Sequence, residues 1–66
     1  MTFTLAMCET YLTSGGTPEG CGAPANCTAP DVLLAWLLGA TLAQQEYAWT
    51  WMQNWVTAHG GSNPGN

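Results

Sequence analysis

The chain has 66 residues, no lysine or arginine, one histidine, four carboxylates (Glu9, Glu19, Asp31, Glu46) and a formal net charge of −4. Average usage would give a chain of this length roughly 16 charged residues of both signs. The deficit excludes phosphate clamping, nucleic-acid binding by the usual electrostatic route and attraction to anionic lipid headgroups. The hydrophobic fraction is 47% with four tryptophans, and mean hydropathy is near zero because Thr, Gly, Gln and Asn dilute it. One small domain is expected, near the size at which a single core is marginal.

In chain order, residues 3–13 are predicted to form a short helix. Phe3, Met7 and Tyr11 recur at i, i+4, i+8, Thr2 or Thr4 offers a cap, and Ser14-Gly15-Gly16 ends the run. The N-terminus has no basic segment followed by a long apolar stretch, so no secretory leader is read there and the compartment stays open. Residues 14–28 are dense in Gly and Pro and read as a loop.

The strongest local signal is Thr28-Ala29-Pro30-Asp31: a capping hydroxyl, a proline in the first turn and a carboxylate beside the helix N-terminus. From there to His59 no proline intervenes, which predicts one long helix over 29–59, about 45 Å if straight. Residues 60–66 read as a turn or coil tail. The fold class is therefore all-α: an uneven helical hairpin with a short N-terminal helix, a Gly/Pro/Cys loop and one long C-terminal helix.

Placed on a wheel, the apolar residues of 32–58 spread over an arc of roughly 240°, far wider than the stripe of an ordinary surface helix. An eleven-residue partner helix, about 16 Å long, cannot cover such an arc. The candidate interface residues are therefore Trp36, Leu37, Tyr47, Trp49, Trp51, Met52 and Trp55, expected to pack against other chains. The function expected from this pattern is a non-enzymatic structural or accessory subunit in a homo-oligomer or larger assembly, with a virion or filament as a natural host. Two alternatives remain: a small membrane-associated subunit, or an inhibitor- or toxin-like protein that binds one target through its Trp face. The membrane reading is weakened by an apolar run of about 12 residues against the roughly 20 needed to span, and by Gln44, Gln45 and Glu46 in mid-helix.

Cys8, Cys21 and Cys27 are disulfide candidates. One bridge would leave a thiol over, and a tie from Cys8 to Cys21 or Cys27 would contribute about 3 kcal/mol. In a reducing compartment all three would be plain buried thiols. With His59 they count up to a four-ligand set, but no C-x₂-C spacing is present and a straight helix would hold Cys27 and His59 at opposite ends. No metal site and no cofactor site is therefore read. The same separation removes a Cys27–His59 nucleophile–base pair. Asn26-Cys27-Thr28 matches the N-glycosylation acceptor pattern, which without a secretory leader is read as chance. The carboxylates sit on separate elements, so no acid–base pair and no catalytic residue is identified.

Overall fold

The computed structural model describes residues 2–59. The tail expected over 60–66 lies outside the described residues. Among the described residues the chain is all-α: helix α1 (Leu5–Thr13), one 3₁₀ turn (Glu19–Cys21), helix α2 (Pro30–Gly39) and helix α3 (Leu42–Ala58).

Helix α1 begins at Leu5, two residues later than expected, with the hydroxyl of Thr4, one of the two cap candidates, accepting from the Met7 N–H at 3.1 Å. It ends in a Schellman arrangement. The Gly16 N–H donates to the Tyr11 carbonyl at 2.9 Å and the Gly15 N–H to the Leu12 carbonyl at 3.2 Å. Gly15 sits at φ 97°, a conformation that glycine adopts without penalty. The 3₁₀ turn ends in the same manner: Gly22 lies at φ 92°, Ala23 N–H donates to Pro18 O and Gly22 N–H to Glu19 O. The Gly-rich loop is thus two well-defined chain reversals.

Helix α2 starts at Pro30 with Asp31 in its first turn, but Ala29 is the N-cap and no side chain caps it. The Thr28 hydroxyl expected in that role does not fill it.

The largest departure from the sequence reading is in the expected 29–59 helix, which is two helices. Ala40 and Thr41 are extended, with ψ 163° and 162°, and the chain turns a corner there. The corner is built by hydrogen bonding. The Thr41 hydroxyl accepts from the Gln44 N–H at 3.1 Å, and the Gln44 side-chain oxygen accepts from the Thr41 N–H at 2.9 Å. This reciprocal capping box satisfies two otherwise orphaned N–H groups of α3. Across the corner, the Gln45 amide donates to the Leu37 carbonyl at 2.9 Å and so satisfies an end carbonyl of α2. Gln44 and Gln45, polar residues in the middle of the expected rod, are the groups that end one helix and start the next. The molecule's greatest extent is 28 Å, too short for a rod of about 45 Å.

Each helix contributes a narrow inner face. Leu33 and Leu37 come from α2 at i, i+4, and Ala48, Met52 and Val56 from α3 at i, i+4, i+8. They meet Phe3, Met7, Cys8 and Tyr11 from the N-terminal segment and Cys21, Ala23 and Cys27 from the loop in one core. Helix α1 packs on both α2 and α3, and the 3₁₀ turn packs on α3.

Candidate docking surfaces

The folding-back of α3 redistributes the seven expected interface residues. Leu37 and Met52 are fully buried in the chain's own core, a correction of their assignment to an interface. Trp36, Trp49 and Trp55 are partly buried against that core; Trp49 meets Phe3 edge-on at 5.5 Å. Of the seven, Tyr47 and Trp51 remain exposed, at 55% and 38%. The long-helix wheel missed this because the corner at Ala40–Thr41 breaks its phase. The two arcs belong to separate helices, each of which turns one face into the shared core.

Two surfaces remain. The first is an aromatic ladder along α3, with rings one turn apart at 47, 51, 55 and 59. Tyr47 and Trp51 are stacked at 6.4 Å between centroids, Trp51 and Trp55 at 6.3 Å, and Trp55 and His59 at 3.9 Å with 13° between planes. The ladder is fixed from the loop side. The Trp51 indole N–H donates to the Tyr11 hydroxyl at 3.1 Å, the Tyr11 hydroxyl donates to the Thr17 carbonyl, and the Tyr47 hydroxyl donates to the Gly20 carbonyl at 3.3 Å. Burial raises the Tyr11 pKa above 10.0, so its phenol stays a neutral donor. Trp55 is held differently: its Nε1 is buried without a hydrogen-bond partner, and its ring packs edge-on against Tyr11 at 6.1 Å. Beside the ladder lies an open recess of about 230 Å³ lined by Trp51, Asn54, Trp55, Ala58 and His59.

The second surface is the outer face of α2 and the corner beyond it, where Val32, Leu38 and Leu42 are 45%, 63% and 66% exposed. Ala35, Gly39 and Ala43 are exposed with them, and a Cβ placed on Gly39 would meet nothing within 4 Å. Asp31, at the start of α2, carries the charge nearest this face in sequence.

The three cysteines are buried free thiols, so the disulfide entertained from the sequence is not formed. They act as small core residues with weak donors: Cys21 Sγ donates to the Pro18 carbonyl at 3.2 Å. Burial, reinforced by neighbouring Cys21, pushes the Cys8 thiol from 9.0 to about 11, and burial raises Cys21 as well. Thiols held protonated in this way are poor nucleophiles. Among the described residues no group of three or more His, Cys, Asp or Glu could hold a metal ion. Glu9, Glu19, Asp31 and Glu46 are all exposed. His59 closes α3, with Nδ1 2.9 Å from the Trp55 carbonyl. Also among the described residues, no helix is long and apolar enough to cross a membrane.

Comparison of the chain with protein-family models, with curated proteins and with solved structures gives no match.

Proposed function

We propose that this chain is a non-enzymatic structural or accessory subunit that joins a protein assembly through the outer face of α2, with a second copy of itself as the first partner. One observation carries the reading: α2 is apolar on both sides. Leu33 and Leu37 fill the core, while Val32, Ala35, Leu38 and Gly39 face outward and the run continues past the corner to Leu42 and Ala43. A helix that is apolar all round belongs in an interior, and here half of it faces water.

The face suits its own copy. An isologous contact brings the same patch from each subunit, and this patch has little charge to repel itself. The open space over Gly39, with Ala35 one turn before it, lets two backbones approach closely, as small residues do at other helix interfaces. A virion or filament remains a natural host for so small an adhesive unit.

Light scattering without detergent on the wild type and on the double variant Leu38→Glu/Leu42→Glu tests the reading. Both side chains are already exposed, so the double variant keeps the helical circular dichroism spectrum. It is expected to be a monomer where the wild type associates. A wild type that is monomeric at high concentration overturns the proposal. One that stays in solution only with detergent favours the membrane-associated alternative.

A further inference from the structure

We infer that the exposed end of the α3 ladder, Tyr47 and Trp51, is a docking surface for a basic segment of another protein, which lays an arginine side chain against the Trp51 indole. This surface is distinct from the α2 face and does not depend on self-association.

Charge selects the partner. The sequence has no lysine or arginine, so neither residue type of its own competes for Tyr47 and Trp51. The two carboxylates nearest in sequence to the ladder's anchors are exposed: Glu19 precedes Gly20, whose carbonyl holds the Tyr47 hydroxyl, and Glu46 precedes Tyr47. An anionic chain with exposed aromatic side chains, Tyr47 and Trp51, attracts cations twice over, through its net field and through the ring quadrupoles. The same charge rejects phosphate and carboxylate ligands.

Geometry selects arginine over lysine. At the far end of the ladder the planar His59 imidazole already lies on Trp55 at 3.9 Å and 13°. A guanidinium is likewise planar and stacks in that manner, whereas an ammonium does not. The recess beside Trp51 is lined in part by Asn54, and its roughly 230 Å³ falls below the 300–1,000 Å³ typical of cofactor and drug-sized clefts. That size suits a single side chain. The Trp51 and Tyr47 rings are anchored by hydrogen bonds to Tyr11 and Gly20, so little rotamer freedom is lost when they are covered.

The test titrates the ¹⁵N-labelled chain with a short glycine-spaced arginine peptide and with its twin carrying citrulline, which has nearly the same shape without the charge. The four indole N–H resonances are followed, on the wild type and on Leu38→Glu/Leu42→Glu alike. Expected is a saturable shift centred on Trp51 that weakens with salt, with the citrulline twin about fivefold weaker or more. Trp51→Phe should weaken binding and Glu19→Gln/Glu46→Gln should reduce its salt dependence. Equal binding of the twin, shifts centred on Trp36 or Trp49, or no saturable shift would overturn the proposal. So would a neutral oligosaccharide that shifts Trp51 more strongly than the arginine peptide. If Trp51→Phe fails to fold, the arginine–citrulline comparison on the wild type still decides.

Discussion

Replacing Thr41 by alanine separates the corner from a continuous helix by the sign of its effect. In the folded chain the Thr41 hydroxyl caps α3 at 3.1 Å and the Thr41 N–H is held by Gln44 at 2.9 Å. Loss of an N-cap hydroxyl costs about 1 kcal/mol, within a range of roughly 0.5–2. For a domain of this size that lowers the melting temperature by roughly 4–8 °C. Were residues 29–59 one unbroken helix, the same substitution would replace a β-branched residue at an interior position by the best helix former. Stability would then rise by about 0.5 kcal/mol. Thermal and urea unfolding followed by circular dichroism reads the difference. Thr41→Ser, which keeps the oxygen, should stay near wild type. An alanine variant as stable as wild type or more so refutes the corner.

Gly16→Ala should cost about 2–3 kcal/mol, because an added Cβ would lie 2.5 Å from Cδ1 and Cζ of Tyr11 and closer still to Cε1, and overpacking against a fixed buried ring is destabilising. A melting temperature within a degree of wild type would show that the Tyr11 ring does not sit against Gly16. Stability should also fall between pH 9 and 11. The unfolded Cys8 thiol ionises near 9.0 and the folded one at about 11, so over that interval the unfolded chain holds fewer protons and gains on the folded one. The loss from Cys8 alone is on the order of 2 kcal/mol, complete as pH passes the folded value; a flat urea midpoint across this interval would contradict the burial of Cys8. At neutral pH, Cys8 and Cys21 should react with a thiol reagent only as fast as the chain opens. Immediate modification without denaturant would place them at the surface.

Much of the fold was legible in local chemistry. Thr4 and the Gly15-Gly16 pair bracket α1, and Pro30 opens α2, because caps and breakers act within a few residues. The corner was harder to read. The apolar pattern runs through Gly39–Leu42 without a proline, and the wheel joined α2 to α3 as if their phases were shared. The signal that could have found it is Thr41-x-x-Gln44 just after Gly39, a capping box that competes with mid-helix geometry. Once the helices are separated, the inner faces are plain at i, i+4: Leu33 and Leu37, then Ala48, Met52 and Val56. The split of the tryptophans was not legible. Whether Trp49 or Trp51 faces outward depends on where α1 and the loop return against α3, and spacing does not encode that.

Sedimentation equilibrium of the wild type in detergent-free buffer, over a wide concentration range, bears most directly on the proposed role. The chain mass is 7.0 kDa. A reversible rise to twice that value or more with concentration is expected, abolished in Leu38→Glu/Leu42→Glu with its helix content intact. A mass fixed at 7.0 kDa throughout would contradict an assembly role for the α2 face.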